Sequence, residues 1–382
     1  MRIWNLFNKE TDIKQHTESR TQDFASVASK SDALHTVDTD DIPTIESRLK
    51  RAFPSNNGLY PHEILMLDYA KTYKTQGATF QNFWKWKYSV LNPQAVLDSL
   101  FVRGFIREED ASDSLRRLTV SALKCMLDKA GEKCTGKKDE LIQRILNAYS
   151  RDELQVALPE KHYALTELGA LELKQNEYVP YLHRHQYMSV WEMNIKLHTE
   201  NPSNLKYRDI LWREFNIQSG EYFQNLEFGL YRNTRLAMHD FLVEENKYKT
   251  ALHLLLEVIA FDLSGLGNGS KPISTYRNAF MRESAYESRL ANLFTTEDKM
   301  EVVLPIGIIR DIENLYECLE MAPDEFICYV YQQLAKIHIH ERIFNETECA
   351  NIVLSELGLE ERKLKNSYLV AQQRLKAAFN LE

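Results

Sequence analysis

Residues 118–146 read LTVSALKCMLDKAGEKCTGKKDELIQRIL, a pattern that predicts two short helices joined by a loop. Thr119 or Ser121 can cap the first helix, whose Leu123 and Leu127 share one face. Gly131 ends that helix at a position suited to the left-handed backbone conformation. The second helix places four apolar side chains inward: Leu141, Ile142, Ile145 and Leu146. About eight apolar side chains make a marginal core, so the hairpin is expected to lean on neighbouring segments.

The order and spacing of these residues resemble the SAP motif, a small helix-loop-helix module, over about residues 117–149. The first half has an apolar residue, then Leu-Lys, Leu and Gly; the second half has Gly-x-Lys, Leu-Ile and Arg-apolar. One departure is Glu132, which stands where the family usually has leucine after the first glycine. The resemblance implies binding to double-stranded DNA with little sequence preference.

A phosphate-binding surface follows from this resemblance and from the basic residues of the hairpin. Free N–H groups at the start of a helix attract phosphate, and a glycine lets the backbone approach it closely. Three or four charged contacts alone give weak, salt-sensitive affinity. The alternative is a surface hairpin whose lysines are merely solvated. The predicted DNA-binding residues are Lys124, Lys133, Gly136, Lys137, Lys138 and Arg144.

The hairpin is basic within an acidic chain, whose net charge is −8. From Arg116 to Arg151 there are nine Lys or Arg residues against four Asp or Glu, whereas from Tyr181 to Glu382 the counts are 22 and 29. The overall charge argues against a protein coated in nucleic acid. One short basic segment in such a chain is what an anion-binding module is expected to look like.

Length and composition predict a mainly α, multi-domain fold. The 382 residues are too many for one ordinary core, and two to four domains are expected. A hydrophobic content of 44% is typical of a globular protein. Only 13 Gly and 10 Pro leave few turn formers, which favours helices over a many-stranded sandwich or barrel.

The segments on either side of the hairpin resemble a winged-helix domain, over residues 49–115 together with 160–180. A helix that starts at Pro93 stops at Gly104 and is followed by a short extended pair, and Tyr163–Leu165 predicts a second strand before a helix capped by Thr166. The SAP-like segment, residues 116–152, fills the place of the wing. Arg103 is the only basic residue of the Pro93 helix, which favours a scaffold over a DNA-reading role.

The remaining segments are a tail and a helical region. Residues 1–48 are predicted to be a flexible tail, with Met1–Phe7 as a small apolar patch. Residues 181–382 predict an all-helical domain, in which 235–262 resembles one helical hairpin of the TPR kind with a break near Asn246. This domain is expected to bind a protein partner or to self-associate.

Patterns typical of enzymes, metal sites and membrane proteins are weak in this sequence, so we expect a cytoplasmic protein without catalytic residues, metal or cofactor. The five cysteines show no CxxC pairing, and no apolar run is long enough for a membrane span. The pairs His183/His185 and His338/His340 are two residues apart, a poor spacing for chelation from a helix. Gly265–Pro272 is a loop that departs from the P-loop pattern.

An aromatic cluster with interleaved lysines leaves two interpretations open. Trp84, Trp86 and Tyr88 alternate with Lys85 and Lys87, which could form a base-stacking platform. The favoured interpretation is a core cluster whose lysines reach outward to solvent.

Two functions from different classes therefore remain. The first is a non-enzymatic DNA-binding protein in which the SAP-like hairpin contacts the phosphate backbone of duplex DNA and the C-terminal helices contact a protein. The second is a protein-interaction scaffold with TPR-like helices and no nucleic-acid binding. The combination of parts also resembles prophage-type proteins of bacteria.

Overall fold

The computed structural model describes residues 43–199, 205–267, 271–293, 304–339, 342–358 and 361–380. Nineteen α-helices, one 3-10 helix and a single two-stranded sheet occur within these ranges, which confirms the mainly helical fold class. The predicted tail lies outside the described residues up to residue 42, and the first described helix begins at Ile45. The chain divides into two compact units, which meet in sequence between Tyr207 and Arg208.

The first unit contains eleven of the described helices and both strands. In chain order these elements are α1 (Ile45–Leu49), α2 (Pro61–Ala70), α3 (Phe83–Tyr88), α4 (Pro93–Val102), β1 (Ile106–Glu108), α5 (Ala111–Arg117), α6 (Val120–Lys129), α7 (Lys138–Ala148), α8 (Arg151–Ala157), β2 (Tyr163–Leu165), α9 (Glu167–Gln175), α10 (Tyr178–His185) and α11 (Val190–Thr199).

Helix α2 forms the centre of this unit. Proline at its first position has its φ preset for a helix and lacks an N–H that would have no partner there. The run Ile64–Leu67 is at most 1% exposed, and the polar His62 and Glu63 are buried as well, so the helix is buried on nearly every side. It packs against α4, α9, α10 and α11, and helices α2, α4 and α9 contact the strands of the sheet.

The sheet is a hairpin in which the connection between its strands has been replaced by a helical insertion. Strands β1 and β2 are antiparallel, with Ile106 opposite Leu165 and Glu108 opposite Tyr163. The predicted strand Tyr163–Leu165 and the Thr166 cap of α9 are confirmed, since the Thr166 hydroxyl accepts a hydrogen bond from the Gly169 N–H at 3.2 Å. The first strand covers 106–108, where the sequence predicts an extended pair at 105–106. Helices α5–α8 lie between the strands in sequence. The winged-helix identity of the surrounding helices stays a prediction.

The aromatic cluster is mostly core, with one exception. Trp84 and Tyr88 are each 1% exposed, and the Trp84 indole donates to the Tyr73 hydroxyl at 2.7 Å. Trp86 is 46% exposed, with the Lys85 ammonium 4.5 Å from its ring centroid. Residues two apart on a helix point to different faces, which explains why one tryptophan is buried and the next is not.

The second unit is built from helices alone within the residues described. They are α12 (Tyr207–Gln224), α13 (Phe228–Glu244), α14 (Tyr248–Leu263), a 3-10 turn (Ile273–Thr275), α15 (Ala279–Leu293), α16 (Ile306–Leu319), α17 (Pro323–Leu334), α18 (Glu346–Leu357) and α19 (Glu361–Phe379). Among the described residues, no helix combines the length and the apolar character needed to span a membrane.

Helices α13 and α14 form an antiparallel hairpin at the centre of this unit. The break near Asn246 is where the sequence predicts it, and Asn246 has a φ of 58°, in the left-handed region that asparagine tolerates. The Arg232 guanidinium forms a two-point ion pair with the Asp262 carboxylate at 2.9 and 2.8 Å, joining the two helices. Whether the hairpin is a TPR-like repeat stays a prediction.

Candidate nucleic-acid interface

The predicted helix-loop-helix is present as α6 and α7, and local signals set the bounds of its first helix. The Thr119 hydroxyl accepts from the Ala122 N–H at 3.2 Å, so Thr119 is the cap of α6. Gly131 follows the end of the helix with a φ of 72°, which is costly for residues with a Cβ. The next residue, Glu132, donates its N–H to the Leu127 carbonyl at 2.8 Å and completes the reversal of the chain.

The two helices share a core with their flanking helices α5 and α8. The buried members come from all four helices: Leu115, Leu123, Leu127, Leu141, Ile142, Ile145 and Leu154. Glu132, which replaces the usual leucine, is exposed, and Cys134 packs against this core from the same loop. The helix-loop-helix therefore packs against the neighbouring helices α5 and α8, as the small size of its own core leads us to expect.

Arg144 fixes the loop between α6 and α7. Its guanidinium donates to the main-chain carbonyl of Lys133 and to that of Thr135, the latter at 2.7 Å. Its side chain is 26% exposed and its Nη2 lies 3.7 Å from a Glu140 carboxylate oxygen. Because these bonds hold two loop carbonyls, Arg144 acts as a loop clasp, and its phosphate contact stays a prediction.

Gly136 precedes α7 at a point where a side chain would not be tolerated. Its φ is 132°, a conformation that L-residues rarely adopt. A Cβ there would overlap the Glu140 carboxylate and would lie 2.8 Å from Arg144 Nη2. The glycine is therefore required by the loop itself, apart from any approach of a ligand.

The N–H of Lys137, the residue that precedes α7, is already bonded. Glu140 accepts a hydrogen bond from the Lys137 N–H at 3.3 Å, so a carboxylate lies where the sequence alone suggests room for phosphate. This position is one that N-terminal capping favours, three residues beyond the cap. Asp139, also in the first turn, pairs with Arg116 at 2.9 Å. The start of α7 is thus partly neutralised, and the lysines around it become the main source of attraction for an anion.

The predicted lysines separate into one bonded and three exposed side chains. The Lys138 ammonium donates to the Arg116 carbonyl at 2.6 Å, at the end of α5. Lys124, Lys133 and Lys137 are exposed, and among the described residues their ammonium groups have neither a hydrogen bond nor an ion pair. The Cys134 thiol donates to the Lys124 carbonyl at 3.5 Å, so the loop that carries Lys133 lies against the main chain of α6 at Lys124.

Several basic residues of the surrounding helices and strands pair with carboxylates. Arg103, the only basic residue at the end of α4, pairs with Glu63 at 2.6 Å and donates to the Gly58 carbonyl at 2.9 Å. Three further pairs lie around the hairpin: Arg107–Asp113 at 2.8 Å, Lys74–Glu160 at 2.6 Å and Lys161–Glu108 at 3.8 Å. Helix α4 instead exposes the apolar Phe101 and Val102, which suits it poorly to a phosphate backbone.

Comparison with known families agrees with this geometry. The SAP domain family model matches residues 114–150. SAP domains are generally DNA-binding modules, and the match covers α5 from Ser114, all of α6 and α7, and the connection to α8. No curated protein and no solved structure matches the chain.

A buried carboxylate joins the SAP domain to the hairpin that carries it. Glu109 follows β1, and its side chain is 3% exposed. It accepts from Arg117 and from the Ser114 hydroxyl, both at 2.7 Å, and lies 3.8 Å from His162 Nδ1. Burial lowers the pKa of His162, and the nearby Arg117 charge lowers it further while Glu109 opposes this. This cluster ties α5 to the two strand ends.

The histidine pairs considered for metal do not form a chelating site in the part of the chain that the structure describes. His183 is bonded at both ring nitrogens, by the Tyr69 hydroxyl at 3.0 Å and the Tyr88 hydroxyl at 2.8 Å. His340 lies outside the described residues, so the second pair is represented by His338 alone. The described residues contain no group of three or more His, Cys, Asp or Glu side chains suited to a metal ion.

Proposed function

We propose that this chain is a non-enzymatic protein that binds duplex DNA through phosphate contacts from its SAP domain. The observation that carries the proposal is the match of the SAP domain model to residues 114–150, a segment that exposes three lysines without carboxylate partners in the described structure. Around the domain, Arg103, Arg107, Lys74 and Lys161 are engaged by carboxylates, whereas the lysines at 124, 133 and 137 remain exposed without such partners in the described structure. Cations without carboxylate partners remain available to replace the counterions of DNA.

The proposed contacts divide the predicted residues into two roles. Lys124, Lys133 and Lys137 contact phosphate, while Gly136 and Arg144 shape the loop that presents them. Lys138 links α7 to the end of α5, and its positive charge adds to that of the three exposed lysines. Three lysines give weak binding without base recognition, because phosphate contacts carry no direct sequence information. The second unit supplies a protein contact or self-association in this proposal.

The test is fluorescence anisotropy of a labelled duplex of about 25 base pairs, titrated with the full chain at low salt. We expect the double variant Lys133→Glu/Lys137→Glu to bind on the order of tenfold more weakly or worse, since two phosphate contacts become repulsive. Lys71→Glu/Lys174→Glu is the matched control. It makes the same charge change at two exposed lysines outside the SAP domain and should bind nearly as wild type.

A protein-interaction scaffold is the second candidate, and exposed apolar side chains favour it. Phe280 and Met281 at the start of α15 are 79% and 47% exposed. Adjacent exposed apolar side chains can mark a protein contact. The scaffold function is favoured over DNA binding if wild type and both double variants give the same weak anisotropy change.

A further inference from the structure

The second unit contains an apolar pocket of about 300 Å³ that the proposed DNA contacts do not use. It lies where the turn between α12 and α13 meets the end of α14. Its apolar lining comes from Phe223, Leu226, Phe228, Phe261, Pro272 and Ile339. Small-molecule sites span roughly 300–1,000 Å³, so this pocket is at their lower limit and suits a side-chain anchor better than a large cofactor.

The backbone at the pocket is held in a conformation unusual for the residue present. Leu226 has a φ of 59°, in the left-handed region where glycine or asparagine is common and an aliphatic residue is costly. The turn thereby presents a leucine to the pocket between two aromatic residues. Phe223, one of these, is 45% exposed and leaves part of its ring for another apolar group to cover.

Negative charge accompanies the apolar lining. Glu221 lies in the last turn of α12 and Glu227 directly precedes α13, and both are exposed. Within the described residues neither carboxylate has an ion-pair partner. An apolar pocket with exposed carboxylates next to its lining residues in the chain is complementary to a segment that combines large apolar side chains with basic residues.

The chain itself contains such a segment. Residues 1–9 read MRIWNLFNK, with Ile3, Trp4, Leu6 and Phe7 between Arg2 and Lys9 and no acidic residue. These residues lie outside the described part of the structure, which begins at residue 43. Residues 8–42 could span up to about 120 Å when fully extended, so reach does not limit which surface of the chain the segment contacts.

We propose that Ile3–Phe7 occupies this pocket of the same chain, with its aromatic side chains against Phe223 and Phe228 and its basic residues near Glu221 and Glu227. The segment and the pocket belong to one chain, so the segment is present at an effective concentration that can reach the millimolar range. Weak binding to a small pocket is then enough to keep the pocket occupied. The occupant is thus the chain's own N-terminal segment, bound in cis, and the contact is independent of the SAP domain.

The test is site-specific photo-crosslinking in the full chain, with a benzoylphenylalanine replacing Phe7 and, as a control, replacing Phe24. We expect the probe at Phe7 to crosslink within one chain to peptides that contain residues 223–228 or 339, and the probe at Phe24 not to. Crosslinks from Phe7 only to other regions, or only between two chains, would overturn the proposal.

Two variants of the second unit sharpen this result. Glu227→Lys should lower the yield of the Phe7 crosslink by roughly fivefold or more if charge complementarity contributes as proposed. Glu325→Lys, the same change at another exposed carboxylate of this unit, should leave the yield unchanged. Equal yields in the two variants would contradict the proposed placement of the basic residues. Circular dichroism of each variant verifies that it remains folded.

Discussion

The guanidinium of Arg144 donates a hydrogen bond to the main-chain carbonyl oxygen of Thr135 at 2.7 Å, across the loop that separates the two helices of the SAP domain. The same side chain bonds the carbonyl of Lys133. A basic residue of the second helix thus determines where the exposed lysines of the loop stand. Its contribution to DNA binding is positional in this account.

Replacement of Arg144 should therefore loosen the loop before it changes the charge available to DNA. For Arg144→Gln we expect the free energy of local opening at residues 132–137 to fall by about 1–3 kcal/mol, the cost of leaving carbonyls without their charged donor. Hydrogen–deuterium exchange of the full chain measures this. Arg151→Gln is the control, because Arg151 is exposed at the start of α8. Equal exchange in the two variants would contradict the clasp.

Two glycines should respond in opposite ways to replacement by alanine. Gly136→Ala should destabilise the SAP domain by about 1–3 kcal/mol, because alanine is strained at a φ of 132°. Gly220→Ala, inside helix α12 with open space around it, should stabilise that helix by about 0.5–1 kcal/mol. Urea unfolding followed by hydrogen exchange distinguishes the two regions. A stable Gly136→Ala variant would show that the loop can adopt another conformation.

The stability of the first unit should fall as the pH decreases from 6.5 to 4. Burial lowers the pKa of His62 to about 4, and burial together with the charges of Lys87 and Arg184 lowers the pKa of His183 to about 4. The unfolded chain, with histidines near 6.5, binds more protons across this interval, so acid favours unfolding there. Thermal denaturation at several pH values measures the slope.

The variant His62→Phe tests whether His62 contributes to this loss of stability in acid. It removes one of the two titrating rings while keeping an aromatic side chain between Tyr60 and Trp191. The loss of stability between pH 6.5 and 4 should become shallower than in wild type. An unchanged slope would mean that His62 does not contribute to the acid sensitivity.

Features encoded by a few adjacent residues were predictable from the sequence. The Thr119 cap, the Gly131 helix end, the start of α4 at Pro93 and the break at Asn246 all depend on local backbone chemistry. Strand β2 was also predictable from the sequence, whereas its pairing with β1 is seen only in the structure.

Contacts between residues distant in sequence were not predictable in the same way. Arg103 and Glu63 are 40 residues apart, and nothing near either residue indicates that they pair. The bonds from Arg144 and Lys138 to carbonyl oxygens depend on where the loop and α5 lie in space. The sequence could therefore supply six candidate residues, which stay predictions, but it could not show the contacts that Arg144 and Lys138 make within the domain.

The salt dependence of duplex binding tests the central claim most directly. The measurement is the slope of log affinity against log salt concentration for wild type and for Lys133→Glu/Lys137→Glu, with the same labelled duplex. Each lost phosphate contact should reduce the magnitude of the slope by about 0.9, so the double variant should show a slope shallower by about 1.8. Identical slopes, or an absence of binding by wild type even at low salt, would contradict DNA binding through the SAP domain.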